Sequence, residues 1–516
     1  MEQQPFWMKL QTASTRFGVT MTPSDWDSRP EDEAFREIGY AFVDLMAEYM
    51  KGLEGRRVYG PVSPAGLDSL FNEDLPEDSQ GWDQLIDECR SKIFPNSMAI
   101  GSRRYFGMMN PAPLPIAIFA DALCSAMNQN AASWRHAPAA TAVEKRVVRW
   151  FCDLFGLGDE SFGTLVPGGS FANITGLKLA LNKSLDRDIG TWDESNSPHF
   201  AEMAKLRIYV SDQAHYSFRK AVDILGLCHG QLNKLPVDHL YRIDVEKLEN
   251  AIKEDIANGL KPCCIVGIAG TTNTGSIDKL DLLADLSEKY NCWYHVDAAY
   301  GGAVMLSDKY RHMLDGIQRA DSITVDPHKW FYTPFEAGGI LVKDGDFLRK
   351  GFLVRPEYYM EKSEADERSF HHGDKVNFFQ YGISGSRRFN ALKLWMTMKM
   401  VGRNKYAEWI EKDIELARVL AGLLQQTDEF ELTGPNTLGI CTFRWVPDSS
   451  LSDEDIDQLN RDLQTVVERE GDAWFSHTTL QGQVTLRVNV ENRHMERSDI
   501  LRLLNVLKKT ARKLKG

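Results

Sequence analysis

Several residues of this chain that are suited to chemistry stand just after short β-rich runs. "SITVDPHKW" (322–330) begins like a buried strand and ends by presenting the imidazole of His328 beside the amine of Lys329. "CWYHVDAAYGG" ends its apolar run at Asp297, followed by Ala298 and Ala299. "LRIYVSDQAHYS" leaves His215 a few residues beyond its run, and "CCIVGIAGTTNTGSID" leaves Thr271, Thr272 and Asp278. "FGTLVPGGSFANITGL" passes through Gly168, Gly169 and Ser170 into an apolar-periodic helix. Glycine lets backbone approach a ligand closely, and the free N–H groups at a helix start favour a phosphate. Each feature alone has an ordinary explanation, such as a loop with a serine cap or a solvated surface imidazole. Together they match one chemistry. An isolated amine, a carboxylate, a flat stacking group and a phosphate cradle on one sheet edge are what pyridoxal 5'-phosphate catalysis requires. On that reading Lys329 forms the Schiff base with the cofactor aldehyde, and Asp297 keeps the pyridine nitrogen protonated. His215 stacks on one face of the ring, and small Ala299 leaves room at the other.

These residues need a sheet to bring them to one edge. From about residue 112, "FGTLVP", "LRIYVS", "CCIVGIAG", "CWYHVD", "SITVD" and "GGILVK" alternate with helical patterns, which predicts βαβ units on a mainly parallel central sheet flanked by helices. Ligands of such sheets bind outside the carboxyl ends of the strands. Helical periodicity over 31–57 places Phe35, Ile38, Phe42, Leu45 and Met46 on one face, and 82–94 reads similarly. The Pro and Gly of "YGPVSPAGL" separate these two helices. Beyond about 392 a long helical stretch leads into "GICTFRWV" and "QVTLRVNV", a smaller α+β region. The expected organisation is therefore a helical segment over 1–111, a large α/β domain over 112–392 and a small α+β domain over 393–516. No internal repeat is present, and the Rossmann and P-loop patterns are absent.

Composition narrows the partners. The chain of 516 residues is 43% hydrophobic and 26% charged, as in ordinary globular proteins. Its net charge of -13 argues against nucleic acid, which needs a basic face. Its 8 cysteines have neither a disulfide framework nor metal-ligand spacing, which implies a reducing compartment and no metal. "MEQQPFWMKLQTAST" has no secretory pattern, and Asp121 interrupts the most apolar stretch well short of a membrane span. A cytoplasmic protein with no membrane partner is expected.

The motifs "SDQAHYS", "AGTTNTGSID", "HVDAAYGG", "DPHKW" and "GSRRFNALKLW", with "SWRHAPAATAVEK" upstream, follow one another in an order that resembles the group II pyridoxal-phosphate decarboxylases, most closely the aromatic L-amino-acid decarboxylases. The resemblance runs through nearly the whole chain. It implies a fold-type I, PLP-dependent transferase-like architecture and a homodimer whose N-terminal helices wrap the partner and whose active site lies at the subunit interface. It also implies Lys329 as the Schiff-base lysine, Asp297 as the pyridine partner, and His215 as a stacking residue that approaches the substrate carboxylate. Gly169, Ser170 and His328 match phosphate contacts, while Thr272 and Ala299 match positions lining the ring. Asp326 stands where some aromatic decarboxylases have Asn. "VRPEYYMEK" aligns with a mobile loop whose tyrosine, here Tyr358 rather than its neighbour Tyr359, donates a proton to the substrate Cα; relatives that make aldehydes tend to have Phe there.

For the substrate pocket the same resemblance points to Met108, Met109, Asn130, Trp134 and Ser386. Met108 and Met109 replace a usual aromatic pair, and Met packs adaptably around a ring. Arg135 and His136 either meet an acidic side chain or form a salt bridge at the dimer interface. The implied activity is decarboxylation of an L-amino acid, aromatic in the first instance (tyrosine, DOPA, phenylalanine or tryptophan), to the amine and carbon dioxide. The alternatives are a decarboxylase of acidic or diamino substrates, an aromatic aldehyde synthase, and a non-catalytic dimeric scaffold.

Overall fold

The computed structural model describes residues 31–60, 62–186, 200–353 and 375–515. Tyr358 and Tyr359 lie outside the described residues. Strands β1 (Phe162–Val166), β2 (Leu206–Ser211), β3 (Leu232–Leu235), β4 (Lys261–Ile268), β5 (Trp293–Asp297), β6 (Ser322–Val325) and β7 (Gly338–Val342) form one sheet in the order β1-β7-β6-β5-β4-β2-β3. β7 runs against both of its neighbours, whereas β6·β5, β5·β4, β4·β2 and β2·β3 are parallel. The sheet is therefore mainly parallel, as the alternation of strands and helices predicts. β5 and β6 are buried along their whole length, the usual state of strands covered on both faces by helices. Because β1 and β6 both oppose β7, the carboxyl ends of β1, β2, β4, β5 and β6 share one edge.

The sequence runs "GICTFRWV" and "QVTLRVNV" form β9 (Ile440–Trp445) and β11 (Gln483–Asn489) of a second, antiparallel sheet, which also holds β8 (Phe430–Leu432) and β10 (Trp474–Leu480). Leu480 pairs with Gln483 across Gln481 and Gly482, at φ 50° and 87°, so both turn residues are left-handed. That conformation makes the tight hairpin whose twist matches its strands, and glycine occupies its second position without strain. The long helix Ala391–Gln425 is broken at Gly402, φ 72° and ψ 158°.

The chain divides into two compact units, one of Met1–Tyr105 with Val466–Trp474 and one of Phe106–Thr465 with Phe475–Gly516. In the first unit the predicted helix spans Glu31–Gly52, ending five residues short of the expected bound, where the chain turns at Leu53–Gly55. Its apolar stripe is only partly covered: Leu45 is buried, but Phe35 is 69% exposed and Phe42 42%. The second segment forms a helix over Trp82–Glu88 that widens into a π-turn over Cys89–Ile93.

One buried ion pair ties β1 to the loops beside it. Arg387 Nη2 contacts Glu144 Oε1 and donates to Thr164 Oγ1 at 2.8 Å and to the Leu165 carbonyl at 2.9 Å, while Nη1 donates to Glu144 Oε2 at 3.2 Å and to the Ala131 carbonyl at 3.1 Å. Glu144 Oε1 also accepts from Leu165 N at 3.0 Å. Removing the cation leaves a buried carboxylate unpaired, which costs about 3–5 kcal/mol. Arg387→Leu is accordingly expected to lower the thermal midpoint by several degrees, and Glu144→Gln in the same chain to recover part of the loss, both read by differential scanning fluorimetry.

Candidate active site

β6 ends at Val325, and the next four residues turn sharply, with Lys329 N donating to the Asp326 carbonyl at 2.9 Å. The turn puts Lys329 Nζ 3.2 Å from Asp326 Oδ2. Asp326 is 4% exposed, and its Oδ1 is buried without a hydrogen-bond partner. His328 Nδ1 donates to the Ala337 carbonyl at 2.6 Å, and its Nε2 lies 3.6 Å from Asp326 Oδ2. A carbonyl only accepts, so the Nδ1 proton is fixed, and burial lowers the imidazole pKa and keeps the ring neutral.

On the next strand Asp297 is the last residue of β5 and is 7% exposed. Its Oδ2 accepts from Asn173 Nδ2 at 2.9 Å and its Oδ1 from Ala299 N at 3.1 Å. Beyond β2, His215 Nδ1 accepts from Ser217 N at 3.3 Å and lies 2.9 Å from Ser217 Oγ. Burial lowers the His215 pKa, with the field of Asp297 opposing the shift. From β1, Gly168 and Gly169 pass close to both neighbouring strand ends. A Cβ added at Gly168 would meet His328 Cε1 at 3.4 Å, and one at Gly169 would meet Asp326 Oδ2 at 2.9 Å and Ala299 Cβ at 3.4 Å. The structure thus gathers Gly169, Asp297, Ala299, His328 and Lys329 on one edge, with His215 within the electrostatic reach of Asp297 and Lys329.

After β4, Thr272 is exposed and its carbonyl accepts from Arg487 Nε at 2.8 Å. Thr271 belongs to a local hydroxyl cluster, with its Oγ1 2.8 Å from Thr274 Oγ1. Asp278 turns away from the edge to clasp backbone: it accepts from Ile243 N at 2.7 Å and from Ile268 N at 2.8 Å, and burial pushes its pKa up to about 7.

The expected pocket residues fall into two groups. Asn130 Oδ1 caps Ala132 N at 3.2 Å and Arg387 N at 3.0 Å, which brings Asn130 beside exposed Ser386, while Trp134 N donates to Asn377 Oδ1 at 3.2 Å. Met108 is held from β11, its carbonyl accepting from Asn489 Nδ2 at 3.1 Å, and Met109 is buried. His136 Nδ1 lies 2.7 Å from Ser133 Oγ, and Arg135 is exposed.

Comparison with known proteins decides the family. The pyridoxal-dependent decarboxylase conserved domain matches residues 64–446. An aromatic-L-amino-acid decarboxylase of Bacillus atrophaeus is 32% identical over 93% of this chain and 96% of its own length. The chain belongs to the pyridoxal-dependent decarboxylase family. A phenylacetaldehyde synthase of Arabidopsis thaliana is 30% identical to this chain, over 89% of it and 91% of its own length. A solved structure of Oryza sativa TDC with PLP and tryptamine superposes with a TM-score of 0.87 at 28% identity, covering 94% of this chain and 99% of the other. The decarboxylase is a pyridoxal-phosphate-dependent carboxy-lyase of an amino acid. Its sheet edge fits that cofactor, because a glycine-lined approach and a helix start face an amine, a buried carboxylate and two neutral imidazoles.

Sequence reasoning passed over four buried residues: Asn173, which bonds to Asp297; Ser217, which bonds to His215; and His295 and Thr324, which bond to Asn173. A signal existed for two of them. His295 lies two residues before Asp297 on β5, so the two share a strand face, and Thr324 lies two residues before Asp326, which stands just past the end of β6. A polar residue at that spacing in an otherwise apolar buried run is the mark of a partner.

The close approach at Gly169 generates a prediction. In Gly169→Ala the new methyl must displace the Asp326 carboxylate from its place beside Lys329. Cofactor affinity is expected to fall roughly tenfold, about 1.4 kcal/mol, with the melting temperature of the cofactor-free protein nearly unchanged, as read by fluorescence titration and a thermal melt.

Proposed function

We propose that the enzyme decarboxylates aromatic L-amino acids to arylalkylamines and carbon dioxide. The observation that carries the reading is the single sheet edge of Lys329, Asp297, His215 and the Gly168–Gly169 approach, in a family member whose relatives include one named for aromatic L-amino acids. The apolar character of Met108, Met109 and Trp134 supports a ring-shaped side chain in the pocket.

In this reading Lys329 Nζ is the amine that would hold the cofactor through its aldehyde. Asp297, pinned by Asn173 and Ala299 N, would accept a hydrogen bond from a protonated ring nitrogen. When bound, the cofactor supplies an electron sink for the pair left at the substrate Cα as the carboxylate departs. Gly169 and Ser170 offer helix-start N–H groups to the phosphate, with His328 and Thr272 beside it, and Ala299 leaves the ring its space. His215 would stack on the ring, and Tyr358 would supply the proton to the substrate Cα. The chain would act as a homodimer with the active site at the subunit interface, residues 1–111 forming the dimerisation segment, 112–392 the cofactor domain and 393–516 the small domain. The exposed Phe35, Tyr40 and Phe42 of the first helix support that role. A cytoplasmic location is supported by eight cysteines that are all free. Among the described residues no helix is long and apolar enough to cross a membrane.

A second reading, aromatic aldehyde synthesis, is favoured by the relative named phenylacetaldehyde synthase. Tyr358 separates the two. Tyr358→Phe keeps the ring and removes the proton. It is expected to continue releasing carbon dioxide at a reduced rate, while amine yield falls and oxygen is consumed to give aldehyde, ammonia and hydrogen peroxide. Tyr359→Phe should stay close to wild type. Normal amine yield in both variants would place the proton donor elsewhere, and aldehyde as the main product of the wild type would favour the second reading. Lys329→Ala is expected to abolish turnover and the visible absorbance of bound cofactor; full activity in that variant would overturn the assignment altogether.

A further inference from the structure

Asn173, on the helix Gly169–Ser184, is 1% exposed and uses every hydrogen-bonding capacity of its amide. Its Nδ2 donates to Asp297 Oδ2 at 2.9 Å and to Ser217 Oγ at 3.0 Å. Its Oδ1 accepts from Thr324 Oγ1 at 2.7 Å and from His295 Nε2 at 3.0 Å. A carboxylate only accepts, so the amide nitrogen must face Asp297, and this fixes the proton positions of everything behind it.

One arm runs inward from Asp297. Since Asn173 Oδ1 is an acceptor, His295 donates from Nε2 and its Nδ1 takes the hydroxyl proton of Ser322 at 2.8 Å. Ser322 Oγ in turn accepts from Trp293 Nε1 at 2.8 Å. Trp293, Ser322, His295 and Asn173 therefore donate in one direction, each to the next, ending at the carboxylate. Burial holds the His295 pKa at about 4, which leaves the single ring proton this sequence of donors requires. Gly176, one turn along the same helix, makes the place for the imidazole: a Cβ there would lie 2.6 Å from His295 Nδ1.

The other arm reaches His215. Ser217 Oγ accepts from Asn173, so its own hydroxyl proton goes to His215 Nδ1, which also accepts from Ser217 N. The remaining proton of the neutral ring sits on Nε2. A single amide is thus joined to the acid assigned to the ring nitrogen and to the imidazole assigned to the ring face.

We infer that Asn173 is a positioning residue that holds Asp297 and His215 in register with one another, through direct contact with the acid and through Ser217 with the imidazole. The inference rests on the roles given to Asp297 and His215 under the proposed function. No isostere reproduces it: Asn173→Asp would put a second carboxylate against Asp297 and remove both donors, and Asn173→Ala would leave Asp297, Ser217, His295 and Thr324 each short of a partner.

The test compares Asn173→Ala, Ser217→Ala and Ser217→Thr, each purified as holoenzyme. Asn173→Ala is expected to lose about a hundredfold in kcat at saturating cofactor, the scale of a small misplacement of reacting groups, and to shift the pH dependence of the bound-cofactor absorbance because Asp297 is no longer fixed. Ser217→Ala should leave that absorbance unchanged but move the acid limb of kcat/KM, since only the His215 arm is cut, and Ser217→Thr should restore the wild-type limb. Wild-type kcat, absorbance and pH profile in Asn173→Ala would overturn the inference, as would a loss of melting temperature with kcat per folded holoenzyme unchanged. If Asn173→Ala does not fold, the Ser217 pair decides: identical pH profiles for Ala and Thr would overturn it. Lys329→Ala is measured alongside. Its inactivity with a neutral Asn173→Ala sinks the inference alone, whereas an active Lys329→Ala sinks the reading beneath it.

Discussion

Asp297 is a carboxylate taken almost entirely out of water, and the residues around the sheet edge follow from that burden. An ionised carboxylate in such a place is tolerated only when hydrogen-bonded, and an unpaired one shifts its pKa or destabilises the fold. Asn173 Nδ2 and Ala299 N meet one oxygen each. Asn173 must then be a buried amide, which needs its own oxygen satisfied by His295 and Thr324. His295 needs Ser322, and Ser322 has Trp293. A single buried charge thus propagates polar residues through the helix Gly169–Ser184 and strands β5 and β6, where packing alone would have selected apolar ones.

The reversed strand β7 adds a second constraint. Its first residue, Gly338, pairs with Val166 of β1, and the next, Gly339, pairs with Val325 of β6; these are the two strands that lead into the glycine loop and the lysine turn. A Cβ on Gly338 would lie 2.5 Å from Gly168 Cα. Glycine at 338 therefore lets the loop before the helix Gly169–Ser184 descend toward Asp326 and His328. The Ala337 carbonyl, just before β7, holds the His328 ring. One antiparallel strand thereby fixes both the cradle and the orientation of the imidazole that borders it.

Much of this was legible in the sequence because buried parallel strands are short apolar runs that end abruptly at a polar residue. Asp297 and Asp326 were marked in that way, His215 lies a few residues beyond its run, and the family motifs carried the roles proposed for Asp297 and His215. β3 was not legible: "LNKL" carries two polar residues over four positions, as an edge strand with one partner allows. The run at Trp474–Leu480 was equally hidden, since Ser476, His477, Thr478 and Thr479 follow one another in it and none of the four is buried. The apolar stripe of the first helix predicted a helix correctly but not its burial, because periodicity records that a face is apolar and not what covers it. Asn173 was hidden for a different reason. It sits at an inward helical position that sequence pattern reserves for the core, and only the geometry shows that it is there to serve a charge.

Charge balance explains the position of Asp326. Burial keeps both His215 and His328 neutral, so neither supplies a cation to the edge. Lys329 pairs with Asp326 at 3.2 Å, and that pair is locally compensated. An anionic phosphate placed beside it therefore finds its favourable field in the unshared N–H groups that open the helix Gly169–Ser184, rather than in a side-chain cation of this set. Backbone donors do not titrate, so the attraction persists across the pH range in which the histidines change state. On the proposed function Lys329 would then be left to the aldehyde and Asp297 to the ring nitrogen, each held by partners that the phosphate would not compete for.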